Sequence, residues 1–180
     1  MSNGNVFQGL DLREDILEYL LTLLGGISGV ATVWRNRGNL PEADPQTRAT
    51  NRPALILLDG DQRLGQATTI VAAHKTVKMP PSHAVMSPEI YIVLDKADDR
   101  TNTTLNGAPY NVGQQLSFWH WMVKGAIEND PGLLGLLTAN GQIIWTGFET
   151  DFRTGRSIGA DGPQGCVRYD FYHPINPPRS

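Results

Sequence analysis

The sequence predicts an α+β domain: a mainly antiparallel sheet with two main helices packed on one of its faces. Three observations carry this expectation. Two segments place apolar residues at helical spacing, and several shorter ones are apolar runs or alternate between apolar and polar. The two kinds do not alternate strictly along the chain, as they would in a doubly wound sheet. The 180 residues suit one domain with long loops, and no segment repeats another. One domain is expected over residues 1–173, with a proline-rich extension over 174–180.

Leu12, Ile16, Tyr19, Leu20, Leu23 and Leu24 fall at helical spacing, which predicts the first helix over residues 11–25. Asp11 and Glu14 stand at the spacing of a capping box, and Gly25-Gly26 supplies a left-handed cap. A short strand is expected at Ala31–Arg35. Asn36–Arg52 is polar and proline-containing, and reads as a long loop. PALILLD, Pro53–Asp59, is dense and apolar and predicts a strand buried on both faces, ended by Asp-Gly. Thr68–Ala72 is a further strand candidate in an ambiguous stretch. HAVMSPEIYIVLD, from His83, predicts a long strand with an edge or a bulge at Pro88, because proline cannot donate to a ladder.

Asp98–Ala108 reads as a polar loop. Val112, Leu116, Trp119, Val123, Ala126 and Ile127 trace the stripe of a second helix over 111–129. Asp130-Pro131 opens a short third helix to Leu137, since proline is well placed in a first turn. Ala139-Asn140-Gly141 is a turn and Gln142–Phe152 a strand. A glycine-rich loop over Gly155–Gly165 leads to a last strand, Cys166–His173, in which Val167, Tyr169 and Phe171 share one face.

Charge and composition narrow the function. Charged residues are 18% and the net charge is −3, without a Lys/Arg run, which argues against a sequence-independent nucleic-acid binder. The low charged fraction points to surface covered by a partner. The single cysteine, Cys166, excludes an intramolecular disulfide and a Cys-rich zinc site, and suits a reducing cytoplasm. MSNGNVFQGLDLREDI does not read as a signal peptide, and no window approaches the ~18 apolar residues of a membrane helix.

The stretch FRTGRSIGADGPQGCVRYDF, Phe152–Phe171, raises the question of phosphate binding. Its glycines, at 155, 159, 162 and 165, fit neither a P-loop, which needs Lys-Ser/Thr and a following helix, nor a dinucleotide fingerprint. A hairpin tip is the better reading. His74, His83, His120 and His173 form no zinc-protease spacing, and Cys166 has no local base. Asp59 and Asp61 read as turn residues, and Glu149 and Asp151 share a polar strand face. No catalytic, cofactor-binding or metal-binding residue is expected. Trp119 fits the core stripe of the second helix; Trp121 lies about 200° around it and suits a subunit contact.

The order of elements and several phrases resemble the tail terminator (tail completion) proteins of long-tailed bacteriophages: VWRNRG after the first helix, PALILLDGD, MSPEIYIVL, DPGLLGLL, and the pair NGQIIWTGFETD and GCVRYDFYHP. The resemblance spans nearly the whole chain, with Asp61–Pro81 and the tail mapping least well. It implies a non-enzymatic virion protein, made in the host cytoplasm. Such a protein forms a ring, usually a hexamer, on the head-proximal end of the tail tube and ends tube polymerisation. It meets the head-completion or stopper protein, and DNA passes through its lumen. Arg35, Arg37, Arg48, Arg52, Trp121, Arg153 and Arg156 are the candidate contacts with a neighbouring copy or the tube. The segments 36–52, 96–110 and 153–165 are the loops that could reach them. The alternatives are another neck component, such as a stopper or tail-tube-like protein, and a small nucleotide-binding or hydrolytic enzyme using the glycine loop.

Overall fold

The computed structural model describes residues 12–36, 53–65, 68–72, 75–79, 83–94, 103–105, 108–110, 112–137, 141–151 and 163–175. Helix α1 (Leu12–Gly25) is followed by β1 (Thr32–Arg35), β2 (Ala54–Leu64), the pair β3 (Thr68–Ala72) and β4 (Lys75–Met79), and β5 (His83–Val93). Then come β6 (Thr103–Leu105), β7 (Ala108–Tyr110), α2 (Val112–Glu128), α3 (Pro131–Leu137), β8 (Gln142–Asp151) and β9 (Gln164–Pro174). Five strands form one mixed sheet in the order β1-β2-β5-β9-β8. Only β1 and β2 run parallel; the other three pairings are antiparallel. This is the α+β domain the sequence predicts.

Residue parity decides which face each side chain takes. Leu55 and Leu57 of β2, Met86, Ile90 and Ile92 of β5, and Val167, Tyr169 and Phe171 of β9 turn to the helices. They meet Ile16, Leu20 and Leu24 of α1 and Leu116, Trp119, Val123 and Ile127 of α2. Tyr169 and Phe171 are fully buried, each stabilising the fold by about 1.5–3 kcal/mol as a buried large apolar side chain. On the opposite face Ala54, Ile56 and Val93 form a smaller buried cluster flanked by Trp34, Leu58 and Tyr91. PALILLD is therefore buried on both faces, as its unbroken apolar run predicts.

Several local expectations are corrected. The strand does not end at Asp59-Gly60: β2 runs on to Leu64, and the two residues form a bulge where the pairing with β5 shifts between Leu58 and Asp61. Gly60 takes φ 64°, and a Cβ there would lie 1.8 Å from the Ser87 carbonyl oxygen, so only glycine lets the strands close. The defect falls opposite Pro88, as that proline's missing donor requires. The left-handed residue after α1 is Gly29 (φ 88°); Gly25 and Gly26 stay at negative φ, and the Gly26 N–H reaches back to Thr22 and Leu23 in a tightened last turn.

Asp11 of the expected capping box lies outside the described residues, and the Glu14 carboxylate accepts from Arg35. The polar stretch before α2 contains a short hairpin, β6–β7, too brief and too Thr/Asn-rich to show a period. Gly165 sits inside β9, paired with Ile92 and Thr150, so the last strand starts earlier than its apolar alternation indicates. The Asp130 cap is as read: its Oδ1 accepts the Leu133 N–H at 2.8 Å, with Pro131 in the first turn.

Candidate subunit interface

Arg35 closes β1 and points at α1. Its five N–H donors are all engaged within the chain. Nε and Nη2 donate to the two Asp59 oxygens at 2.7 and 2.9 Å. Nη2 donates to Glu14 Oε2 at 2.8 Å, and Nη1 donates to Glu14 Oε1 and, at 2.9 Å, to Glu18 Oε1. Glu14 and Glu18 stand one turn apart on α1, and the β2 bulge turns Asp59 inward, so helix, edge strand and bulge are clamped by one guanidinium. The hydrogen bonds from Arg35 hold the Glu14 carboxyl below its ordinary value. Burial pushes Asp59 up, but the hydrogen bonds from Arg35 and Asn36 and the nearby positive charges outweigh it, and Asp59 also lies below its ordinary value. With no donor left, Arg35 is an internal clamp, and the expectation that it reaches a neighbouring copy is replaced by this one. Asp59, read as a turn residue, is half of the clamp; nothing in the sequence announces a pair so far apart along the chain.

Trp121 is where the sequence places it. Trp119 is buried in the core while Trp121 is 67% exposed, the largest exposed aromatic among the described residues. It walls an apolar groove of about 460 Å³ between the end of α1 and the middle of α2, shaped by Leu23, Gly26, Ile27, Met122 and Gly125. Among the described residues no charged side chain lines the groove. The exposed positions arise because α2 is apolar over more of its circumference than one sheet can cover. Arg37, Arg48, Arg52, Arg153 and Arg156 lie outside the described residues.

The second exposed apolar feature is β8, the edge strand. Ile144 (41% exposed) and Trp145 (43%) point to opposite faces of it. Behind Trp145, the His120 imidazole stacks on Phe148 with ring centres 4.2 Å apart and lies 5.8 Å from the Trp145 ring. Lys124 Nζ sits 4.8 Å over Trp145 and bonds Glu128 at 2.5 Å. Burial, then the Lys124 charge, keep His120 below its ordinary value, against an opposing pull from Glu128. The His120 imidazole is thus packed among aromatic rings.

The sheet face away from the helices is polar beyond its small apolar cluster. Arg168 bridges Glu89 at 2.8 Å and Glu149 at 2.9 Å, and Tyr91 donates to Glu89 at 3.0 Å. Asp170 accepts from Ser87 at 2.6 Å and from Arg63 at 3.2 Å. Glu149 thus has an arginine partner in its own chain. Cys166 is buried in this face, and burial pushes its thiol up to about 11, the behaviour of a packed residue and not of a nucleophile. His83 pairs with Pro174 and His173 with Ala84, so the two histidines fall on opposite faces of the sheet, and His173 Nε2 lies 3.5 Å from Gln62 Nε2. Among the described residues no three His, Cys, Asp or Glu side chains form a metal-binding group, and no helix is long and apolar enough to cross a membrane.

No protein-family model matches the chain, and no curated protein sequence is significantly similar to it.

Proposed function

We propose that the chain is a virion structural protein of the tail-terminator kind. It assembles as a ring, of six copies by the resemblance, at the head-proximal end of a phage tail tube. There it ends tube polymerisation and receives the head-completion or stopper protein, with DNA passing through the lumen unread. The supporting observation is the element order. A helix, a short strand ending at Arg35, the strand from Pro53-Ala54, the strand carrying Met86–Val93, a helix, the short Asp130-Pro131 helix and a final antiparallel pair fold as one layer of helices on one sheet. Those are the elements whose phrases resemble the family.

The surface is compatible with that role. The uncharged Trp121 groove and the apolar β8 edge are different patches, and a closed ring joins unlike patches of successive copies. The net charge of −3 suits a lumen that repels phosphate instead of holding it. Light scattering after size exclusion, followed by negative-stain imaging alone and with purified tail tubes, tests the reading. Ring particles with a central hole, or rings at one end of each tube, are expected. A chain that stays monomeric at high concentration and leaves tube ends bare overturns it.

A further inference from the structure

Strands β2 and β5 pair to the end of the five-stranded sheet. Their ladder runs from Ala54↔Val93 to Leu64↔Ala84, and the Gly65 N–H carries it one step further by donating to the His83 carbonyl at 2.8 Å. Pairing resumes as β3–β4, from Thr68↔Met79 to Ala72↔Lys75. β3 follows β2, and β4 precedes β5, by a few residues along the chain. The β3–β4 pair forms a separate two-stranded sheet and pairs with no strand of the five-stranded one. Gly60–Leu64 of β2 are exposed although still paired with β5, and Leu64, the last residue of that strand, is 67% exposed. A lone two-stranded ribbon is marginal in water and has two open edges. Such an arm gains most of its stability from a further strand.

We propose that the β3–β4 arm of one copy adds to the free edge of β8 in a second copy. β8 is ten residues long, ends the sheet, and carries neither lysine nor proline, the residues that commonly blunt an edge. Exposed Ile144 and Trp145 flank that edge on both faces. The charges are complementary. Residues 68–79 contain Lys75 and Lys78 and no acidic residue, while β8 contains Glu149 and Asp151 and no basic one. Glu149 and Asp151 stand in the last three residues of β8, opposite Cys166 and Gln164 of β9. Lys75 and Lys78 both belong to β4, so the positive charge of the pair is carried by one of its two strands. Arm and edge are unlike surfaces, so the contact runs head to tail and repeats until a ring closes. This inference rests on the ring reading and names the contact that builds the ring.

Cross-linking tests it directly. In a Cys166→Ala background, chains bearing Lys78→Cys are mixed with chains bearing Glu149→Cys and oxidised. A disulfide-linked pair containing one chain of each kind is expected, with far less product from either variant alone. Charge reversal supplies a second readout. Lys75→Glu with Lys78→Glu, or Glu149→Lys with Asp151→Lys, is expected to raise the concentration needed for assembly about tenfold. Mixing the two reversed chains restores part of the loss. Wild-type rings whose assembly is untouched by either reversal, and which give no mixed cross-link, overturn the arm contact and leave the ring standing. A wild-type chain that forms no ring and gives no cross-link overturns both.

Discussion

Arg35 and Asp59 meet as a side-on fork, Nε to Oδ1 at 2.7 Å and Nη2 to Oδ2 at 2.9 Å, while the other end of the same guanidinium grips Glu14. Removing the arginine leaves three carboxylates crowded together without the cation that compensates them. Arg35→Met is expected to cost about 2–3 kcal/mol, toward the lower end for a partly buried pair because the site keeps some solvent. Arg35→Lys, which keeps the charge but not the fork, is expected to recover only part of that. Urea midpoints measure both. A loss under about 0.5 kcal/mol for Arg35→Met would assign the cluster to the surface class of ion pairs.

The same cluster sets the acid limit. Glu14 and Asp59 titrate below their ordinary values of 4.5 and 3.8 in the fold. A depressed folded value means that the unfolded chain binds more protons in the window between the two. The stability they contribute is complete above the unfolded values and is lost as pH falls through the folded ones. Melting temperature is therefore expected to drop steeply below about pH 4.5 in the wild type and less steeply in Arg35→Met, whose carboxylates are no longer held down. His120 adds a step of the same sign that begins at higher pH. Its folded value lies under the ordinary 6.5, so protonation favours the unfolded chain as pH falls from there, and His120→Phe is expected to remove that step.

Two glycines make an opposed pair. Gly60 has φ 64° and no room for a Cβ, whereas Gly125, at the start of the last turn of α2, would place a Cβ in open space. Gly60→Ala is expected to cost about 1–2 kcal/mol for the left-handed conformation and more for the collision with Ser87, enough to reset the β2–β5 register. Gly125→Ala is expected to stabilise by about 0.5–1 kcal/mol through helix propensity. Thermal or urea unfolding of the two variants gives the sign of each.

The layers were legible because their cause is local. Helical spacing in α1 and α2, the two-faced apolar run of β2, and the alternation of Val167, Tyr169 and Phe171 each encode an element and its buried side. The Arg35 clamp was not legible, because Glu14, Arg35 and Asp59 are brought together only by the parallel β1–β2 pairing and the bulge, and neither has a period. Asp59-Gly60 looked like a strand end because Asp-Gly usually is one; here the pairing continues on both sides of it, and the glycine serves the bulge. Trp121 was legible from angle alone: two residues apart on a helix, it and Trp119 cannot face the same sheet.

Trp121 separates folding from assembly. Its ring is 67% exposed in the single chain, so Trp121→Ser removes little that is buried on folding, and a stability change within about 0.5–1 kcal/mol is expected. Trp119→Ser is the contrast. That ring is buried, its edge 3.2 Å from where a Cβ on Gly29 would sit, and losing it is expected to cost about 3–5 kcal/mol. If the uncharged groove beside Trp121 is covered by a neighbouring copy, the exposed tryptophan is its anchor. Truncating an anchor of that kind costs about 2 kcal/mol or more of contact energy, some thirtyfold in the assembly constant. The expected outcome is a Trp121→Ser chain that melts like the wild type yet populates rings only at much higher concentration, measured by light scattering across a dilution series. Rings that persist to the same dilution as the wild type would leave the groove outside the subunit contact. A fall in melting temperature matching that of Trp119→Ser would show that Trp121 belongs to the core of the single chain.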